Sequence, residues 1–359
     1  MEKRGASAGR DWQATVEGQL ILDSLTPVET DRMLAAGWTR SGKLARTFTG
    51  IQLYGHWYDC VMLRLPLRVF FWKKRLRKLL RRNEGRFQWE VRPYLCGDEE
   101  KRLLWSRYKT QVHGWVDPPE IDLHLFRGIA PENFRTRELI IRDGGRLVAF
   151  SVFDQGLQSI ASLEAAYDPE YQRFSPGLYS MLLEIRHAQA AGMELYYPGF
   201  LPRNYPDTMF EYKLRPGNLH FFRVADQTWQ PMECLQEGDL LFRTVLDNLR
   251  SALPEVAAAG FSGALVALQS PWTTAFPRPD IANFLLFLEM YAPDRQDRWK
   301  WLLTWDPLDR QYLLFPSVPN PNLPTNMTGS AGYQHPRPRV LPVAGFARPA
   351  ALHDWLAGQ

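Results

Sequence analysis

Cysteine is scarce in this chain: Cys60, Cys96 and Cys234 are the three present among 359 residues. That is too few for a disulfide framework and points to a reducing compartment. Long apolar runs are missing too. The stretch 281–290, among the longest, falls well short of the roughly 20 residues that span a bilayer. Residues 1–12 lack the apolar core of a signal peptide. These absences lead to the expectation of a soluble, cytoplasmic protein with no membrane partner. A last absence is local. No acid occurs from Lys73 to Arg82, where seven cations (Lys73, Lys74, Arg75, Arg77, Lys78, Arg81 and Arg82) fall within ten positions.

What is present fits an ordinary folded protein, with 45% hydrophobic and 23% charged residues. The length implies two or three domains, since single cores rarely exceed about 250 residues. Thirteen Trp and 27 Pro suggest aromatic-walled surfaces and long non-helical connections. A net charge of +4 says little about a nucleic-acid partner; the cation cluster says more.

Local signals predict the elements. Thr26, Pro27 and Glu29 form a capping-box start for a helix ending before Gly37. Strands are expected within 44–58, at 61–70 and at 89–93, and helices at about 72–83 and 99–113. Three strands follow at 137–142, 146–153 and 159–167, the first two joined by Gly144-Gly145. Apolar residues recur at helical spacing over 176–191, with Gly192 placed to end that helix, and a strand is expected at 195–200. Beyond Pro231 we expect a helix at 238–259, a strand at 262–268, an apolar helix at 281–291, a hairpin at 298–315 and an extended Pro-rich tail.

Several short motifs stand in a definite order. Gly37-Trp38 and Arg40-Ser41-Gly42 come first, then Cys60, Arg64-Leu65-Pro66-Leu67-Arg68-Val69 and the basic stretch ending at Asn83. Tyr108 with His113, Leu147-Val148-Ala149, Tyr167-Asp168-Pro169 and Ser175 to Tyr179 follow, then Tyr196-Tyr197-Pro198-Gly199-Phe200 and Met209-Phe210-Glu211-Tyr212-Lys213. In this order, over residues 25–216, the chain resembles the arginyl-tRNA–protein transferase family, which includes arginyl and leucyl transferases. The resemblance implies an α+β fold with a GNAT-like acyltransferase core, a mixed sheet flanked by helices. It also implies a smaller N-terminal domain at 25–92 and the transferase domain at 93–234; the local patterns add an arm at 1–24, a C-terminal extension at 235–315 and a Pro-rich tail at 316–359. The stretch after Pro231 resembles nothing in that family.

The implied activity moves an amino acid, arginine first and leucine second, from charged tRNA to the N-terminal α-amine of acceptor proteins with acidic N-termini. The ester is already activated, so positioning and a mild base suffice. By resemblance Glu164, Asp168 and His113 are the catalytic candidates. Glu164 is a carboxylate in an otherwise apolar strand and equally admits a solvent-facing role; Asp168 admits a turn, and His113 a helix end. Tyr108, Tyr179, Tyr197, Gly199, Glu211, Tyr212 and Lys213 are the substrate-binding candidates. The seven cations are candidates for tRNA backbone contact, with Trp72, Leu76, Leu79 and Leu80 as the opposite, apolar stripe. A solvated face or a membrane-surface helix are the other readings of that stretch.

The family's paired cysteines hold a metal or cluster. Here Tyr54, Gly55, His56, Trp57 and Tyr58 occupy that neighbourhood with Cys60 alone. Four soft ligands are not at hand, so no cofactor or metal is expected. Two rival functions remain. An acyltransferase with another donor, such as coenzyme A, is disfavoured by Arg173-Phe174-Ser175-Pro176-Gly177, where one glycine and a proline without N–H replace a pyrophosphate cradle. A catalytically silent RNA- or protein-binding homologue is the other. The oligomeric state is left open.

Overall fold

The computed structural model describes residues 12–53, 56–206, 208–267, 286–291, 300–317 and 344–357. Helix α1 (Pro27–Ala35) begins as its sequence dictates. Thr26 Oγ1 accepts from the Glu29 amide, and the Glu29 carboxylate accepts from the Thr26 amide, so two orphan donors are satisfied reciprocally. Around it, β1 (Glu17–Ile21), β2 (Thr39–Ser41) and β3 (Leu44–Phe48) form a three-stranded antiparallel sheet in the order β1-β3-β2.

The arm expected at 1–24 is therefore corrected from residue 12 onward; residues 1–11 lie outside the described residues. Trp12, Ala14, Val16 and Leu22 are buried. These even-numbered positions carry the period of two of an extended chain with one buried face.

The main sheet has nine strands. In chain order they and their helices are β4 (Gly50–Leu53), β5 (His56–Pro66), α2 (Lys74–Glu84), β6 (Gln88–Pro93), α3 (Glu99–Gln111), α4 (Ile121–Phe126), β7 (Thr136–Asp143), β8 (Arg146–Gln155), β9 (Ser159–Tyr167), α5 (Pro176–Ala190), β10 (Leu195–Pro202), β11 (His220–Arg223) and β12 (Thr228–Pro231). The spatial order is β12-β11-β5-β10-β9-β8-β7-β6, with β4 paired to β5. Every pairing is antiparallel except β9 with β10, which α5 connects by packing against the sheet. Because β5 lies between β10 and β11, the sheet crosses the boundary placed at residue 92.

Several details follow directly from residue type. Gly144 and Gly145 both take positive φ in the β7–β8 turn, as a two-residue hairpin requires. Helix α5 ends in a Schellman arrangement, with the Met193 amide on the Ala188 carbonyl and the Gly192 amide on the Gln189 carbonyl. The strand expected at 61–70 instead ends at Pro66, which brings no N–H to a ladder. Short elements α4, β11 and β12 were not foreseen.

A second sheet of five antiparallel strands runs in sequence order: β13 (Ser262–Ala267), β14 (Leu286–Tyr291), β15 (Lys300–Asp306), β16 (Gln311–Ser317) and β17 (Ala344–Phe346). Helices α6 (Leu241–Ala258) and α7 (Pro349–Ala357) pack with it, around Leu249, Val256, Leu303, Tyr312 and Leu352. The apolar helix expected at 281–291 is corrected here: residues 286–291 are strand, with Leu288 and Met290 both buried. A short apolar run does not distinguish strand from buried helix, and a spacing of two decides it. Residues 281–285 and most of the Pro-rich tail, 318–343, lie outside the described residues, while α7 is helical where only a tail was expected. Trp57 of β5 stacks on Phe242 of α6 at 5.4 Å, joining this unit to the main sheet.

Candidate active site

Strands β9 and β10 part company midway. Parallel pairing joins Ser159 to Leu195, Ile160 to Tyr196 and Ala161 to Tyr197, and then stops. On its other side β10 slips register against β5 between Tyr196 and Gly199. Gly199 sits at φ +84°, and a Cβ built there would lie 3.6 Å from Lys213 Nζ; the bulge thus wants glycine. From Ser162 onward β9 pairs with β8 alone among the described residues, leaving one edge open toward the divergence. The Lys213 ammonium donates to the Phe200 carbonyl at 2.9 Å and lies 4.9 Å from the Phe200 ring. Burial depresses its pKa to about 8, against the pull of Cys60 and Glu164.

A polar-floored pocket occupies the divergence. It is lined by Ser151 of β8, Ser162 and Ala165 of β9, Gly177, Ser180, Met181 and Glu184 of α5, Tyr196 and Pro198 of β10, and Tyr212 from the 3-10 turn Thr208–Leu214. Glu184 is 1% exposed. Its carboxylate accepts from Tyr196 Oη at 2.6 Å and from Ser162 Oγ at 3.5 Å. Burial raises its pKa to about 7, although the hydroxyls of Ser151, Tyr196 and Ser162 pull the other way. The sequence reading missed this residue. A signal was available: Gly177, Ser180 and Glu184 recur at i, i+3 and i+7, a polar stripe along a helix that is otherwise buried and mostly apolar.

The foreseen residues are distributed differently. Glu164 sits on the opposite face of β9, where its carboxylate meets Lys109 Nζ at 3.3 Å and His124 Nε2 at 3.2 Å. Burial pushes its pKa up, but Lys109 and His124 outweigh that and leave it at about 2, a weak base. Lys109 in turn lies over the Trp105 and Trp115 rings at 4.3 and 4.8 Å.

Asp168 is fully buried and its carboxylate is engaged. It caps the 3-10 turn through the Glu170 amide and accepts from Arg146 at 2.5 Å and Arg107 at 3.4 Å. It is a turn residue in this structure. His113 follows the end of α3 and packs edge-on to Tyr108 at 5.0 Å. Burial, with Lys109 nearby, lowers its pKa to about 4. Tyr108 also meets Tyr167 at 4.8 Å.

Tyr179 is wholly buried in α5, and burial raises its phenol to about 12. Tyr197 is buried too; desolvation raises its pKa to about 12 while the nearby Arg64 lowers it. Arg64 itself stacks over Trp229 at 4.7 Å. Glu211 is exposed and apart from the pocket, whereas Tyr212 lines it. The structure therefore brings Tyr212, Gly199 and Lys213 to the divergence and adds Glu184, Tyr196 and Ser162.

The basic helix forms as α2. Leu76 and Leu80 are buried, and Trp72 and Leu79 pack against the same core as α5. Lys74, Arg75, Arg77, Lys78, Arg81 and Arg82 are exposed, and Lys73 half-exposed. The helix is tied to segments that adjoin two of the pocket's lining elements, the 3-10 turn and α5. Arg75 donates to the Arg215 carbonyl, just past the 3-10 turn, at 3.1 Å. At the other end, Arg82 and Asn83 donate to the carbonyls of Arg173 and Phe174, just before α5, at 3.4 and 2.9 Å.

The residues present do not fit a metal or cluster site like that of the family. Cys60 is buried and desolvation pushes its thiol well up, while Cys96 and Cys234 are exposed on other segments. Tyr54 and Gly55 lie outside the described residues. Among the described residues no three His, Cys, Asp or Glu side chains cluster to hold a metal ion, and no helix is long and apolar enough to cross a membrane.

An antiparallel run of strands, a crossing helix and a parallel strand that splays from its neighbour define an α+β, GNAT-like acyltransferase core. Within it, residues 100–220 match the family model described as arginine-tRNA-protein transferase, C terminus. An aspartate/glutamate leucyltransferase of Vibrio cholerae is 25% identical over 211 residues, covering 57% of this chain and 84% of that protein. One from Pseudomonas fluorescens is 29% identical over 176 residues, covering 47% and 70%. One from Leptospira interrogans is 25% identical over 165 residues, covering 45% of this chain and 63% of that protein, less than two thirds of its length. Over these residues the chain is similar to the aminoacyl-tRNA–protein transferase family. Among solved structures, FemX is similar with a TM-score of 0.33 and 10% identity, covering 50% of this chain and 61% of that one. A GCN5-related N-acetyltransferase from Kribbella flavida is similar with a TM-score of 0.25 and 14% identity, covering 39% and 47%.

Proposed function

We propose that the protein is an aminoacyltransferase that moves an amino acid from the 3′ ester of a charged tRNA to the α-amine of an acceptor protein, in the cytoplasm where charged tRNA is held. The observation that carries this reading is the placement of α2. Its cations flank a pocket opened by the β9–β10 divergence, so a polyanion bound along the helix would present its end to that pocket. The free edge of β9 beyond Ala161 offers main-chain groups to an extended acceptor peptide. Leucine or arginine is the donated residue, with leucine favoured by the relatives' names, and acceptors begin with Asp or Glu on the same ground. Coenzyme A suits the site poorly, since Pro176 at the first position of α5 has no N–H for a pyrophosphate.

Purified protein, tRNA charged with labelled leucine or arginine, and peptides beginning with Asp or Glu make the test. Label is expected at the peptide α-amine. Absence of transfer from every aminoacyl-tRNA, together with saturable binding of an acyl-CoA, would overturn the reading.

A further inference from the structure

Three carboxylates lie near the divergence, and two of them are neutralised. Asp168 is held by Arg146 and Arg107, and Glu164 by Lys109 and His124. Glu184 differs. It stands in the middle of α5, buried, at the floor of the pocket, and among the described residues it forms no ion pair. The groups that face it are hydroxyls: Tyr196 from β10, Ser162 from β9, Ser151 from β8 and Tyr212 from the 3-10 turn. A carboxylate buried without a cation is costly and is found where chemistry asks for it. Gly177, Ser180 and Ala165 are small residues that line the same pocket, a cavity of about 10 Å³.

We propose that Glu184 carries the proton during aminoacyl transfer, with Tyr196 as the residue that positions it. This inference rests on the transferase reading above. The acceptor amine enters as its free base, its extra proton having passed to solvent. As its nitrogen attacks the ester carbonyl and the C–N bond forms, one N–H proton moves to the Glu184 carboxylate. As the ester C–O bond breaks, the neutral carboxylic acid returns that proton to the departing ribose oxygen. The products are an amide and a free tRNA hydroxyl, and Glu184 is again ionised. A carboxylate whose pKa is raised to about 7 suits both halves of this relay, because it accepts and releases a proton near neutrality. Glu164, held at about 2, does not.

The test uses the full chain under single-turnover conditions with labelled leucyl- and arginyl-tRNA and a peptide beginning with Asp. Glu184→Gln keeps an acceptor for Tyr196 but takes no proton. It is expected to slow transfer by at least ~100-fold with unchanged tRNA affinity, and to remove the step near neutral pH from the rate profile. Glu184→Ala is expected to regain rate when formate is added, since a small carboxylate fits the vacated space. Tyr196→Phe is expected to shift that pH step rather than abolish transfer. Transfer by Glu184→Gln within roughly threefold of wild type overturns the proposal. So does a loss confined to one aminoacyl-tRNA, which would make Glu184 a reader of the donor side chain. If wild type transfers nothing, the transferase reading itself falls, an outcome distinct from either. Should Glu184→Gln not fold, Glu184→Asp and the formate response of Glu184→Ala decide the matter.

Discussion

At the residue scale the motif Arg40-Ser41-Gly42 gains a cause. Arg40 Nε and Nη2 reach the two Asp154 carboxylate oxygens at 2.5 and 2.8 Å, and both side chains are buried. Its third nitrogen donates to the Gly42 and Leu125 carbonyls, and its guanidinium lies 4.2 Å from the Phe134 ring. The pair clamps β2 of the small sheet to β8 of the large one. Arg40→Ala strands a buried carboxylate and is expected to destabilise by about 3–5 kcal/mol, read from urea midpoints. Arg40→Lys is expected to restore little, since a point charge cannot replace the bidentate fork.

Glu184 offers a second prediction on stability. Its folded pKa is raised from 4.5 to about 7. Its contribution is therefore fully present below the unfolded value and is lost as pH rises through about 7. Glu184→Gln removes that loss. The variant is expected to gain on wild type between about pH 5 and about pH 8, by at most about 3 kcal/mol. A stability difference independent of pH would mean that the carboxylate is not destabilised by its burial.

At the element scale, local chemistry decided what the sequence disclosed. The α1 capping box, the Gly144-Gly145 turn and the Gly192 end of α5 are each written within a few neighbouring residues, and all form as read. Strand β14 was misread because a short apolar run does not distinguish strand from buried helix, and the segment from Trp12 because β1 pairs with β3, beyond α1 and β2. The candidate site shows the same division. The basic helix and its apolar stripe were legible. The partners of Glu164, at 40 and 55 residues' separation, were not, and neither was the orphan status of Glu184. The resemblance supplied Gly199 without its reason, which is the bulge that turns β10 away from β9. Gly199→Ala must hold φ near +84° with Lys213 Nζ close by. It is expected to cost about 1–2 kcal/mol and to reduce transfer further than stability, as the divergence is reshaped. Equal peptide transfer with a lowered melting temperature would show that the bulge serves folding alone.

For the whole molecule, the distribution of charge matters more than its sum. The net charge of +4 is unremarkable for a chain with 43 cationic and 39 acidic side chains, yet α2 gathers six exposed cations and has Lys73 as its N-cap. Counterions condensed on RNA phosphates are released when such cations bind, so affinity should fall steeply with salt. The main-chain bonds of Arg75 and Arg82 fix those two ends of the arc beside the pocket walls. Arg77 and Arg81 project freely between them into solvent. Replacing Arg77, Arg81 and Arg82 together with Ala removes up to three phosphate contacts without touching Leu76 or Leu80, which anchor the helix. The slope of log affinity against log salt, measured from about 50 to about 200 mM, is expected to become shallower by about 2–3. Single-turnover transfer at saturating tRNA should stay near wild type, because Glu184 and the β9–β10 divergence are intact. An unchanged slope would remove α2 from the tRNA path. A lost saturated rate would instead place these cations in the chemistry, since electrostatic capture alone acts on affinity and encounter rather than on the reaction of the bound ester.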